Sequence, residues 1–175
     1  MQDLSESRKR SKSIFTHTCT QKEYFDIMQK FCYLFGEMIE GLDAVCAIET
    51  GGIIPASMIA DIYNKPCYSI QKDNTINYIP PRLYEKNILD PFGFSDDEWK
   101  ITIPKEYKNI ALIDDVIDTG KEVERAEQIL RDMGKEYYIY TLIIKPWNSF
   151  SCRGAHNVYF VEQIPAWMIW PWEKK

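Results

Sequence analysis

Residues 110–120, Ile-Ala-Leu-Ile-Asp-Asp-Val-Ile-Asp-Thr-Gly, constrain this chain more than any other stretch. The apolar run Ile110 to Ile113 reads as a buried strand. Two adjacent carboxylates follow it, then a third, then Thr119-Gly120-Lys121. Val123 to Met133 repeats at helical spacing, with Gly134 placed to end the helix. The pattern predicts a strand, an acidic loop, a glycine turn and a helix. Backbone N–H groups at such a helix start hold phosphate. Carboxylates beside them hold hydroxyls or a hydrated cation. Side by side, the two point to a phosphorylated sugar. A blander reading makes Asp118 the N-cap of a solvated turn. It leaves Asp114 and Asp115 unexplained, although opposite faces of a strand relieve part of their repulsion. A P-loop is excluded, because Asp115 and Glu122 stand where that loop needs Gly and Ser or Thr.

Strands and helices alternate on both sides of this unit. Thr20-x-x-Glu23 is a capping box, and Tyr24, Phe25, Met28, Phe31, Cys32, Phe35 and Ile39 follow at helical spacing until Gly41. Ala44 to Ile48 reads as a strand, Glu49-Thr50-Gly51-Gly52 as a tight turn, and Pro55 to Tyr63 as a helix with Pro in its first turn. Pro66 to Ile70, Tyr137 to Ile144 and Val158 to Val161 read as further strands. Residues 71–106 lack sustained periodicity and read as a functional loop or lid, with room for a small hairpin. Residues 1–13 read as a flexible tail and 148–157 as a polar loop. The expected architecture is α/β: one domain over 14–175, a doubly wound, mostly parallel sheet with helices on both faces. Ligands of such sheets bind at the carboxyl ends of strands. The segments 49–52, 114–120 and 145–157 all follow strands and are expected to converge there.

Composition narrows the partners. A net charge of −5 gives nucleic acid no obvious footing, and the Arg8-Lys9-Arg10 cluster reads as part of a solvated tail. No apolar run is long enough to span a membrane. The five cysteines show no Cys-x-x-Cys spacing, so neither a disulfide framework nor a zinc site is expected. Cys32, Cys46 and Cys67 read as small buried hydrophobes of a reducing cytoplasm. His17 and His156 are far apart in sequence and carry no catalytic pattern.

Two further constellations lie near strand ends. Gly51-Gly52 permits close approach of backbone to an anion, or is simply the requirement of a tight turn. Lys145-Pro146 follows a strand, and the tail runs Ala166-Trp167-Met168-Ile169-Trp170-Pro171-Trp172. Taken alone, these aromatics belong to a core or a dimer interface as readily as to a binding site.

The 110–120 segment resembles the phosphoribosyl-diphosphate (PRPP) motif of the type I phosphoribosyltransferases: apolar strand, acidic pair, two apolar residues, then Asp-Thr-Gly. The resemblance extends from about Phe15 to Trp172 and is nearest to the 6-oxopurine (hypoxanthine, xanthine, guanine) enzymes, in which the chain ends form a small hood. It implies that a purine and PRPP yield a nucleoside 5′-monophosphate and pyrophosphate, with Mg²⁺ as cofactor. Asp114 and Asp115 would accept from the ribose hydroxyls and face the metal, Asp115 directly or through water. Asp118 would be the general base toward purine N7. Asp118, Thr119, Gly120 and Lys121 would hold the 5′-phosphate, and Thr50, Gly51 and Gly52 the pyrophosphate. Lys145, Trp167 and Met168 would bind the purine, the ammonium donating to a C6 carbonyl and the indole stacking on the ring. The resemblance also implies a cytoplasmic homo-oligomer, dimer or tetramer.

Three positions depart from the resemblance. Thr50 stands where relatives often carry Arg or Lys. Glu122 stands where they place Thr or Ser against the phosphate; an outward orientation on the first helical turn would suit the helix dipole. The 71–106 segment shows no Ser-Tyr pair of the flexible-loop kind. These departures leave open a non-catalytic protein that senses PRPP or a nucleotide. An unrelated Asp-rich phosphohydrolase is a third reading.

Overall fold

The computed structural model describes residues 15–79, 102–146 and 158–173. The expected tail at 1–13, the centre of the 71–106 segment and the 148–157 loop lie outside them. Among the described residues, eight strands and three helices run in the order β1 (Thr16–Thr18), α1 (Gln21–Glu40), β2 (Ala44–Ile48), α2 (Ile53–Ile62), β3 (Cys67–Ile70), β4 (Ile76–Ile79), β5 (Asn109–Ile117), α3 (Lys121–Asp132), β6 (Glu136–Ile144), β7 (Val158–Gln163) and β8 (Trp167–Ile169). A 3₁₀ turn, Pro171–Glu173, follows.

Local chemistry explains the boundaries. Thr20 accepts from the Glu23 N–H while Glu23 accepts from the Thr20 N–H, so the start of α1 is closed reciprocally. Tyr24, Met28, Phe31, Phe35 and Ile39 form its buried stripe. Phe25 was expected on that stripe but is 56% exposed, its ring flanking Tyr24 at 5.8 Å. α2 begins at Ile53, two residues before the expected start, and keeps Pro55 in its first turn. Gly134 follows α3 in the left-handed conformation, φ 67°, and stops it.

Six strands form one sheet in the order β4-β3-β2-β5-β6-β7; all neighbours are parallel except β3 and β4. The 71–106 segment was expected to have room for a hairpin of its own; instead its β4 turns back through Asn74, φ 71°, onto β3, which precedes the segment. One face of the sheet packs on α1 and α2 through Phe31, Phe35, Ala56, Ile59, Ala111 and Ile113. The other packs on α3 through Val123, Ala126, Leu130, Ile110 and Leu112. Each of the Phe, Ile, Val and Leu side chains contributes roughly 1.5–3 kcal/mol on burial, and both faces are covered as a parallel sheet requires. Cys46 and Cys67 are buried and Cys32 half-buried.

β1 was not expected from the sequence. It pairs in parallel with β8, Thr16 beside Trp167 and Thr18 beside Ile169, and forms a two-stranded hood from the two ends of the chain. Among the described residues, no helix is long and apolar enough to cross a membrane.

Candidate active site

The strand order reverses between β2 and β5. From β2 the chain proceeds outward to β3; from β5 it proceeds the other way to β6. This is the switch point at which open α/β sheets hold ligands. The 49–52 turn leaves β2 there, and 118–120 leaves β5 beside it.

The acid pair is not in a loop, as the sequence suggested. Asp114 and Asp115 are residues of β5, which runs on to Ile117. The strand changes phase across them. Ile110 and Leu112 face the α3 layer and Ala111 and Ile113 the α1–α2 layer, but Val116 packs on the α1–α2 side and Ile117 on the α3 side. Across this stretch each carboxylate accepts from the N–H of the next residue: the Asp115 N–H donates to Asp114 Oδ1 and the Val116 N–H to Asp115 Oδ1, each at 2.9 Å.

The two acids are thereby divided between the faces. Asp114 is 5% exposed, and its carboxyl is pushed well above the ordinary range, first by burial and then by the charges of Asp115 and Glu122. Asp115 is also raised by burial, with hydrogen bonds to its charged form opposing. It lies against the turn after β2. A Cβ added to Gly51 would overlap the Asp115 carboxylate. One added to Gly52 would sit 2.6 Å from Ile113 O and 2.7 Å from Ile48 O. Only glycine lets this turn press onto the acidic strand, so the two segments share one site. Thr50, exposed, ends a cis peptide with Glu49 at the start of the turn.

Beyond β5, Asp118 is half-buried and Thr119 exposed. Asp118 does not cap α3. Gly120, left-handed at φ 78°, holds the cap position, and no side chain caps the helix; Thr119 Oγ1 is 3.5 Å from the Lys121 N–H. The contrast with the closed start of α1 matters. At α3 the N-cap residue offers no side-chain acceptor, and a helix start of that kind suits an anion. Glu122 is turned outward, its carboxylate 3.7 Å from Lys72 Nζ in the β3–β4 turn.

No family model matches this chain, and no curated protein matches it. Solved structures do match its fold. A purine phosphoribosyltransferase from Pyrococcus horikoshii superposes with a TM-score of 0.62 over 93% of this chain and 96% of its own, at 22% identity. The xanthine-guanine-hypoxanthine phosphoribosyltransferase of Helicobacter pylori gives 0.64 over 90% and 93%, at 17% identity. A hypothetical protein from Neisseria gonorrhoeae with bound ppGpp gives 0.65 over 92% of each chain, at 17% identity. The chain has the fold of the type I phosphoribosyltransferases.

In this phosphoribosyltransferase fold the hood brings Lys145 and Trp167 together. Lys145 follows β6, is 1% exposed, and its Nζ donates to Ala166 O, one residue before Trp167. Burial lowers its pKa; the charges of Asp118 and Asp115 oppose that shift and place the ammonium in their field. Trp167 is 38% exposed. Met168 is 4% exposed, and its side chain joins the hydrophobic core. Lys121 is exposed beside Gly120.

Trp170 was not among the residues expected at the site. Its ring is 1% exposed, stacked on Trp172 at 5.3 Å and set edge-on to Tyr24. Its indole N–H stabilises the Asp115 charge, yet has no well-aligned acceptor. The alternating Trp pattern of the tail was visible, but nothing local tied residue 170 to residue 115. A groove of about 450 Å³ between α1, α2 and Trp172 contains none of the candidate residues.

For Mg²⁺, the fit rests on the donor set. Among the described residues no three His, Cys, Asp or Glu side chains converge. Asp114 and Asp115 supply hard oxygen atoms at the switch point. Mg²⁺ is held in just this way, by one or two carboxylates together with ligand phosphates and water.

Proposed function

We propose that this protein is a purine phosphoribosyltransferase that joins a 6-oxopurine to PRPP, releasing pyrophosphate and forming a nucleoside 5′-monophosphate. The observation that carries the reading is the contact of the Gly51-Gly52 turn with Asp115 at the switch point, beside the uncapped start of α3. One surface thus offers two anion cradles with carboxylates between them, which suits a ribose bearing phosphate at one end and pyrophosphate at the other.

Each residue has a physical task. The 118–121 backbone and the Thr119 hydroxyl hold the 5′-phosphate. Thr50, Gly51 and Gly52 receive the pyrophosphate through backbone groups, without a basic side chain. Asp114 and Asp115 accept from the ribose hydroxyls and would hold Mg²⁺, whose contribution when bound is to offset the pyrophosphate charge. Asp118 takes the N7 proton as the glycosidic bond to the purine forms and the bond to pyrophosphate breaks. Positive charge develops on the ribose in that step, and fixed carboxylates stabilise it. Lys145 has three donor hydrogens, one of them directed to Ala166; a second toward C6 favours a carbonyl over the amine of adenine. Trp167 stacks on the base.

The decisive experiment incubates the protein with PRPP, Mg²⁺ and a panel of bases and follows nucleotide and pyrophosphate by chromatography. Synthesis with hypoxanthine, guanine or xanthine is expected; no product from any base overturns the reading. One observation favours a second reading, a nucleotide-sensing protein of the same fold: the Neisseria gonorrhoeae structure that covers 92% of this chain contains ppGpp. Tight ppGpp binding without turnover of any base would select it.

A further inference from the structure

A carboxylate stands at the threshold of the 5′-phosphate cradle. Glu122 is the second residue of α3, and its charge reaches Asp114 on the neighbouring strand. A phosphate dianion at the same helix start would meet the same repulsion.

The fold supplies a cation against it. Lys72, in the β3–β4 turn, sets its ammonium 3.7 Å from Glu122 Oε1. The turn that carries Lys72 is well fixed. Gln71 N–H donates to Thr75 O at 2.9 Å, Asn74 N–H to Gln71 O at 3.0 Å, and Thr75 N–H to Asp73 Oδ1 at 2.9 Å. Arg125, one turn beyond Glu122 on α3, donates from Nη1 to Lys72 O at 2.7 Å. The helix that carries the unwanted charge therefore grips the backbone of the residue that cancels it.

We propose that Lys72 is a positioning residue for phosphate binding, acting through Glu122: it draws that carboxylate away from the start of α3 and cancels its field there, so that a sugar phosphate is admitted. The inference rests on the phosphate placement given under the proposed function. The Lys72 and Glu122 side chains are 65% and 55% exposed, and a pair so exposed adds little to fold stability. Its consequence falls on the anion next to it.

The test is a double-mutant cycle, read by calorimetry with ribose 5-phosphate and with Mg²⁺-PRPP at low ionic strength. Lys72→Met should weaken both by about tenfold, the order expected for an uncancelled charge near a dianion at a partly screened surface. Glu122→Gln should bind no more weakly than wild type. Lys72→Met combined with Glu122→Gln should recover the Glu122→Gln affinity, with thermal midpoints of all variants close together. The loss in Lys72→Met should shrink as salt is raised. An equal loss from Lys72→Met in the Glu122→Gln background overturns the inference, since Lys72 would then act on the ligand itself; so does unchanged affinity in Lys72→Met. A wild type that binds ribose 5-phosphate and gives the expected cycle, yet makes no nucleotide, supports the inference and sinks the enzyme reading. A wild type that binds neither ligand overturns both.

Discussion

Asp114→Asn should make this protein more stable at neutral pH while removing its affinity for Mg²⁺-PRPP. Asp114 is 5% exposed, and the groups around it, Asp115 and Glu122, are also acids. Its one close donor is the Asp115 N–H at 2.9 Å. Asparagine has the same shape and keeps an acceptor for that N–H, but carries no charge into the interior. Removing an uncompensated buried charge in this way is worth about 1–2 kcal/mol. In a domain of this size that is a rise in Tm of about 2–8 °C. The pH dependence fixes the cause. The folded-state pKa of Asp114 lies above its unfolded value, so the protonated acid is favoured by folding. That contribution is complete below the unfolded pKa and is lost as pH rises through the folded one. The advantage of asparagine should therefore open as pH rises and close below about pH 4. Thermal unfolding of both proteins across that range, without metal or ligand, measures it. A variant no more stable than wild type at about pH 8, or an advantage of the same size in acid, would refute the reasoning.

Other perturbations address the rest of the site. Gly51→Ala places a methyl group in the space of the Asp115 carboxylate; PRPP affinity by calorimetry should fall at least tenfold and stability by about 1–3 kcal/mol, and unchanged affinity would show that the turn and the acid do not share a ligand. Asp118→Asn should lower turnover by about 10²–10⁴ with PRPP affinity held within a few-fold, and full turnover with the preferred purine removes Asp118 from the general-base role. The wild type should use a 6-oxopurine and not adenine. Because burial lowers the Lys145 pKa, that preference should weaken as pH rises through a value below the ordinary lysine range; base competition assays at neutral and alkaline pH decide it, and adenine as the best substrate would reverse the assignment.

The helices and the central strands were legible because their causes are local. Thr20 and Glu23 announce α1 in four residues, Ala44 to Ile48 is an unbroken apolar run, and Gly134 marks the end of α3. The acid pair was misread as a loop because charge is normally a sign of solvent. Nothing in the local sequence reveals that Asp114 and Asp115 satisfy the backbone N–H groups beside them and stay within the strand. The site was legible where a motif lay within one segment, as in Asp118-Thr119-Gly120. It was illegible where it depended on distant partners. Residue 51 meeting residue 115, Lys72 meeting Glu122, and Met168 turning inward while Trp167 stays outside are outcomes of sheet order and strand phase. β1 was missed for a related reason: a three-residue strand, Thr-His-Thr, carries no apolar alternation and exists because β8 lies beside it.

The β1–β8 pairing also fixes an order of assembly. On a ribosome, residues 16–18 emerge well before 167–169, so this hood cannot close until residue 169 has been made. The pairing of β2, β3 and β5, with the Gly51-Gly52 turn against Asp115, needs only residues made before α3. Loop closure favours the shorter separations. A nascent chain therefore builds the contact between the Gly51-Gly52 turn and Asp115 first. Trp167, and the Ala166 carbonyl that accepts from Lys145, are made later.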